Sequence, residues 1–386
     1  MRSSRRSDVD PFIVMDVMEA ARQREVAGHS VIHMEVGQPG TGAPQGAIAA
    51  LAEAMAEDPL GYTVALGLPA LRARIARLYR DWYDVDLSPE RVVVTAGSSA
   101  GFILAFLALF DAGDRVAIGD PGYPSYRNIL KALDLEVVGI ETSAENRFQP
   151  APEDLAQHPD LAGLLVASPA NPTGTMLDHE ALAALITHAR DAGIAFISDE
   201  IYHGLDYGTR PVTALEVSDE VIVINSFSKY FSMTGWRVGW MVVPDNMVRV
   251  IERLSQNLFI CPPHASQLAA LAAMDCEAEL QENVAVYAKN RALMLDGLPR
   301  AGFRRIAPPD GAFYVYADVS DLTDDSRAFA AEILEQAGVA VTPGLDFDPG
   351  RGKTGLRFSY ARATADIQEG LRRLQAFMAT RGSARL

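Results

Sequence analysis

Between residues 91 and 243 the chain repeats one pattern: a short run of β-branched and aliphatic residues, then a helix-length stretch rich in Ala and Leu. Seven such runs stand out, at 91–95, 115–118, 136–140, 163–167, 194–198, 221–225 and 238–243. Strands separated by helices yield a mainly parallel sheet with helices on both faces. The stretch 178–192 shows one such helix: Asp178 can cap its start, Leu182, Leu185 and Ile186 recur at helical spacing, and Gly193 stops it. A long amphipathic stretch, 277–298, then leads away and the pattern changes. Strands are expected at 312–318, 339–341 and 355–360, with helices near 326–337 and 364–378. The fold class is therefore α/β: a large domain with a mainly parallel seven-stranded sheet sandwiched by helices, plus a smaller α+β domain. A length of 386 residues suits that division. Residues 1–44 read as an N-terminal arm and part of the small domain, 45–280 as the large domain and 281–386 as the small C-terminal domain. The run 31–36 reads as a further strand and 37–46 as a loop.

Composition removes several classes of function. Hydrophobic residues at 49% and charged residues at 22% are globular usage and exclude a disordered, collagen-like or coiled-coil chain. A net charge of −16 repels phosphate backbones and anionic membrane surfaces, so neither nucleic acid nor membrane is an expected partner. No apolar run reaches the roughly 18 residues that span a bilayer. Cys261 and Cys276 are too few for a disulfide framework, which points to a reducing compartment, the cytoplasm. Asp8, Asp10 and Asp16 interrupt the apolar stretch a secretion signal would need.

The most informative segment is 226–239, Ser-Phe-Ser-Lys-Tyr-Phe-Ser-Met-Thr-Gly-Trp-Arg-Val-Gly, directly after a strand. It sets Lys229 among hydroxyls and aromatics with Arg237 nearby. Desolvation and a neighbouring cation both push an ammonium toward the neutral amine, the form that makes a Schiff base. Upstream, Gly97-Ser98-Ser99-Ala100-Gly101 lies between a strand and a helical run, where backbone N–H groups and hydroxyls suit a phosphate. The same residues spell G-x-S-x-G, the nucleophile elbow of a serine hydrolase with Ser99 as nucleophile. No glycine-rich oxyanion run precedes Ser99, although His264 follows it. Asn171-Pro172-Thr173-Gly174 and Pro121-Gly122-Tyr123-Pro124 read by themselves as turns. Asp199 and Tyr202 close a strand at the carboxyl edge of the sheet, where such folds bind ligands. The alternation in 355–360 places Arg357 and Ser359 on one face.

Other signals fail. His29 and His33 lie on a strand-like run, not one helical face, and His179-Glu180 lacks a second histidine, so no metal site is indicated. Gly40, Gly42 and Gly46 miss the spacing of a dinucleotide fingerprint.

The Lys229 segment, with the motifs at 97–101, 121–124, 171–174, 199–202 and 355–360 in order, resembles the class I/II pyridoxal-phosphate-dependent aminotransferases of fold type I, the aspartate aminotransferase-like group. That resemblance implies pyridoxal 5'-phosphate as cofactor, held by Lys229 as an imine, and a ping-pong exchange of an amino group between an L-amino acid and a 2-oxo acid. It implies Asp199 beside the pyridine nitrogen, Tyr202 and Asn171 on the ring oxygen, Tyr123 stacked on the ring, and Gly97, Ser98, Ser99, Ser226 and Arg237 around the phosphate. It further implies Arg357 and Gly37 at the substrate carboxylate and a homodimer in which Tyr62 reaches the neighbouring subunit's phosphate. A β-lyase or decarboxylase on the same fold would keep Lys229, Asp199 and Arg357. The donor stays open: Gln256 stands where aspartate-specific relatives carry an arginine, Ser99 where another branch carries a lysine, and Phe12, Ile13 and Phe259 could line a pocket for neutral or aromatic side chains.

Overall fold

The structure, a computed structural model, describes residues 1–383. Its strands are β1 (Ile32–His33), β2 (Val92–Thr95), β3 (Arg115–Asp120), β4 (Glu136–Glu141), β5 (Leu161–Ala167), β6 (Ala195–Asp199), β7 (Ile222–Ser226), β8 (Gly239–Val242), β9 (Arg305–Ala307), β10 (Tyr314–Asp318), β11 (Val339–Ala340), β12 (Thr342–Pro343) and β13 (Gly355–Ser359). The seven strands β2 to β8 form one sheet in the order β2-β8-β7-β6-β5-β3-β4. Pairing is parallel from β4 through to β7, while β8 runs antiparallel to both β7 and β2.

Successive residues of each strand enter different cores. Val92 and Val94 of β2, Leu164 and Val166 of β5 and Trp240 and Val242 of β8 join one apolar cluster. Val93, Leu165 and Met241 between them join the other. Burial on both faces is why these strands read as unbroken apolar runs. Each aliphatic side chain so buried contributes about 1.5–3 kcal/mol. The helix His179–Asp191 is as expected: Asp178 Oδ1 accepts from Ala181 N–H at 2.9 Å, and Gly193 follows at φ +70°. Among the described residues, no helix is long and apolar enough to cross a membrane.

The smaller unit carries an antiparallel sheet, β12-β13-β10-β9, flanked by the helices Ser326–Ala337 and Thr364–Ser383. The helix Glu277–Arg300 touches both units: Gln281 bonds the Tyr230 hydroxyl at 2.9 Å, and Asn290 Nδ2 donates to Tyr360 O and Arg362 O at 3.0 and 2.7 Å. Two expectations need correction. The strand expected over 31–36 is only Ile32–His33, paired with β11; beyond it Met34 turns its backbone to a second partner, accepting from Ser359 N–H at 2.7 Å. The helical run expected from Phe102 begins at Ser98, because Gly97 at φ +79° turns the chain straight into it.

Chain order reverses between β3 and β5, which leaves a crevice at the carboxyl ends of the parallel strands. The segments following β2, β3, β5, β6 and β7 all open on that edge.

Candidate active site

Lys229 follows β7 on a loop whose mouth is closed by the ladder, with Ser226 opposite Gly239 in register. Its Nζ donates to Gly37 O at 2.6 Å and lies 5.6 Å from the Tyr202 ring centre and 6.0 Å from that of Phe313. Burial, then the positive charge of Arg357, bring its pKa down from 10.5 to about 8, against the pull of Asp199. The amine is thus set far closer to its neutral form than a surface lysine.

Asp199, at the end of β6, is 2% exposed and accepts from the Tyr126 hydroxyl and from Ile201 N–H at 3.1 Å. Burial raises its pKa from 3.8 to about 6. No ion pair forms with it among the described residues, so a buried carboxyl is left ready for a cationic or protonated partner. Tyr202 is buried, and its hydroxyl lies 2.7 Å from that of Tyr314.

Arg357, 3% exposed on β13, is the most unusual charge in the site. Of the three arginines buried among the described residues, Arg72 pairs with Glu90 at 3.3 Å and Arg91 pairs with Asp219. Arg357 has only neutral acceptors: Asn171 Oδ1 at 2.9 Å, Thr342 Oγ1 at 3.3 Å and Glu35 O. Its guanidinium carbon sits over the rings of Tyr314 and Phe347, 4.4 and 4.7 Å from their centres, and Nε has no partner. A desolvated, uncompensated guanidinium is a receptor for a carboxylate.

A second group of polar and cationic residues gathers at the start of the helix Ser98–Leu109. Ser98 is half-buried and Ser99 exposed on its first turn. A Cβ on Gly97 would overlap the Arg237 guanidinium, so Arg237 reaches across the helix start. Arg237 itself holds a left-handed backbone at φ +51° and donates to Thr234 O at 3.0 Å. Such a conformation costs a non-glycine residue roughly 1–2 kcal/mol, strain concentrated where an anion would bind. Ser226 lies deeper; its hydroxyl bonds that of Ser228 at 2.8 Å. Tyr123 is half-buried, edge-on to Phe12 at 5.9 Å and to Tyr126 at 5.3 Å. Tyr62 is 84% exposed within its own chain. Phe259 packs beside the second apolar core, and Gln256 is exposed next to Glu252.

A sequence profile of the family "Aminotransferase class I and II" matches residues 29–374. The chain belongs to the class I and II aminotransferases. The valine–pyruvate aminotransferase of Mycobacterium tuberculosis is 50% identical over 98% of each chain. A Silicibacter pomeroyi protein of known crystal structure is 70% identical, with a TM-score of 0.94 over 98% of this chain and all of that one. The aspartate aminotransferase of Thermus thermophilus, solved with maleate, is 31% identical with a TM-score of 0.92 over 98% of this chain and 100% of its own. This aminotransferase is thus a fold type I enzyme of pyridoxal-phosphate-dependent transamination.

The residues of this aminotransferase fit the family's cofactor chemically. They supply an amine near its neutral form, an unpaired buried carboxyl, and a cation beside a glycine that must lack a side chain. As an aminotransferase it has no use for a serine nucleophile: Ser99 is exposed, and His264 turns Nδ1 to Gly61 O at 3.0 Å. Among the described residues, no three His, Cys, Asp or Glu side chains gather as a metal-binding group. Sequence reasoning missed Tyr126, Tyr314, Thr342 and the carbonyl of Glu35. Tyr126 lay one helical turn after Tyr123, a legible spacing; Tyr314 and Thr342 carried no local signal.

Proposed function

We propose that the enzyme binds pyridoxal 5'-phosphate on Lys229, Asp199, Tyr202, Tyr123 and Asn171, with Gly97, Ser98, Ser99, Ser226 and Arg237 toward its phosphate. We propose that it moves the amino group of a neutral L-amino acid to a 2-oxo acid. When bound, the cofactor supplies an aldehyde that condenses with amines and a ring that withdraws electrons from the bonds at the amino acid α-carbon. The chain's own residues do the rest. Asp199 holds a proton at the ring nitrogen, a role its unpaired burial supports. Lys229, poised near pH 8, takes and returns the proton at the substrate α-carbon as general base and acid. Arg357 grips the α-carboxylate with Asn171 alongside, and Gly37 leaves its backbone free to approach.

The observation that carries the neutral donor is that Arg357 is the one buried arginine without an acidic partner among the described residues. One such cation suits one carboxylate, and Gln256 offers no second charge for a dicarboxylic side chain. The 50% identical relative named for valine and pyruvate supports the same reading. Tyr62 and nearby Val64, both exposed, support a homodimer in which Tyr62 reaches across. Two free cysteines support a cytoplasmic setting, and a division near 44 and 280 is supported by the seven-stranded sheet lying wholly between residues 92 and 242.

A donor screen with pyruvate and 2-oxoglutarate as acceptors tests this. Valine, alanine or another neutral amino acid should give the highest kcat/KM, and donor alone should convert the cofactor to its amine form. A preference for aspartate or glutamate would overturn the neutral pocket; product formation without that conversion would favour a lyase or decarboxylase.

A further inference from the structure

The hydroxyls of Tyr202 and Tyr314, 2.7 Å apart, share a hydrogen bond that nothing in the motif set anticipates. Tyr314 is 1% exposed, and Tyr202 is the partner its hydroxyl has in the structure. Each phenol has one proton to give, so a Tyr202 that commits its own to a further acceptor can only accept across this contact, and Tyr314 is then the donor. Arg357 lies over the Tyr314 ring, its guanidinium carbon 4.4 Å from the ring centre. Room for the hydroxyl is kept by Gly37, where any Cβ would overlap it. Lys229 Nζ stands 5.6 Å from the Tyr202 ring centre.

We propose that Tyr314 is a positioning residue that acts through Tyr202: it donates to the Tyr202 oxygen, strengthens Tyr202 as a donor to the cofactor ring oxygen, and so lowers the proton affinity of the Lys229–cofactor link. The inference rests on the cofactor reading given above. Hydrogen bonds in series polarise one another, so a phenol that accepts one bond donates its own more strongly. A ring oxygen that receives a strong donor has less electron density to share with the proton on the neighbouring nitrogen. The same tyrosine carries Arg357 on its face, so the carboxylate-binding group and the ring-oxygen donor meet on one side chain.

The test is the pH titration of the visible absorbance of the holoenzyme, which reads that proton directly and does not depend on turnover. Tyr314→Phe keeps the ring under Arg357 and removes only the hydroxyl. Its midpoint should rise by about half a pH unit, roughly threefold in proton affinity. Tyr202→Phe should raise it further, and the double variant should match Tyr202→Phe alone, because Tyr314 has no route to the link except through Tyr202. A midpoint in Tyr314→Phe that is unchanged or lower would overturn the proposal, as would a double variant in which the two shifts add. A wild-type protein that never forms the linked chromophore would refute the cofactor reading itself. A role for Tyr314 in packing alone would lower the melting temperature and leave every midpoint in place.

Discussion

Replacing Arg357 separates binding from stability in a way few positions allow. The guanidinium is buried, holds neutral oxygens at 2.9 and 3.3 Å, and has no carboxylate within ion-pair reach among the described residues. Arg357→Lys keeps the charge but not the fork: one ammonium cannot hold Asn171 and also offer two parallel N–H groups to a carboxylate. Losing one charge-assisted hydrogen bond costs about 1.5–3 kcal/mol. At about 1.4 kcal/mol per factor of ten, kcat/KM for the amino donor should fall roughly 10- to 100-fold. Arg357→Gln removes the charge as well, and the loss should reach about 2–5 kcal/mol, or some 30- to several thousand-fold. Stability should move the other way or stay level, because a buried cation without a counter-ion gains nothing by being there. Steady-state kinetics with a coupled oxo-acid assay, beside thermal melts of the same samples, measure both. A kcat/KM within about threefold of wild type in Arg357→Gln, or a melting temperature that falls in step with activity, would refute the assignment.

Lys229→Ala should abolish borohydride-trappable cofactor and lower turnover by at least about 100-fold, the least expected of an acid–base group; mass spectrometry and kinetics decide. Asp199, raised to about 6 by burial, binds a proton more tightly folded than unfolded. The cofactor-free protein should therefore lose stability as pH climbs from about 4 to 6, and Asp199→Asn should flatten that slope in melts across the range; parallel slopes would count against it. Gly97→Ala places a Cβ in the Arg237 guanidinium and an alanine at φ +79°, so cofactor affinity, titrated by absorbance, should weaken about tenfold or more. Asp346 accepts from Ile13 N–H at 2.9 Å and Val14 N–H at 3.3 Å, capping the helix Ile13–Val26 beside Tyr123. Asp346→Ala should cost about 1 kcal/mol and speed proteolysis of the N-terminal arm; an unchanged cleavage rate would remove that clamp from the account.

The seven-stranded sheet was legible because its strands are buried on both faces, so apolar runs and punctuating glycines coincide with the true elements within a residue or two. The short strands were not. Arg305–Ala307 and Thr342–Pro343 owe their pairing to β10 and β13 and carry no pattern of their own. At the site, residues at strand ends and in the Lys229 loop stood out because their chemistry sits in contiguous motifs. Alternation in 355–360 places Arg357 on one face of a strand but cannot show that β13 is interior to its sheet or that, among the described residues, the arginine forms no ion pair. Tyr126, Tyr314 and Thr342 come from separate stretches that only the folded chain assembles, and no spacing rule reaches across such distances.

The pairing of Ser226 with Gly239 has a consequence for how the segment around Lys229 can vary. The excursion bearing Lys229 and Arg237 leaves and re-enters the scaffold at two rungs of one ladder. Its footing is therefore set by strand alignment, whatever its own contents. A slip of β8 by one rung against β7 would swap the inward and outward faces of β8, driving Trp240 and Met241 into each other's cores. The amine's address is thus guarded by the cost of repacking two cores, and substitutions within the excursion can alter reactivity while leaving that address intact.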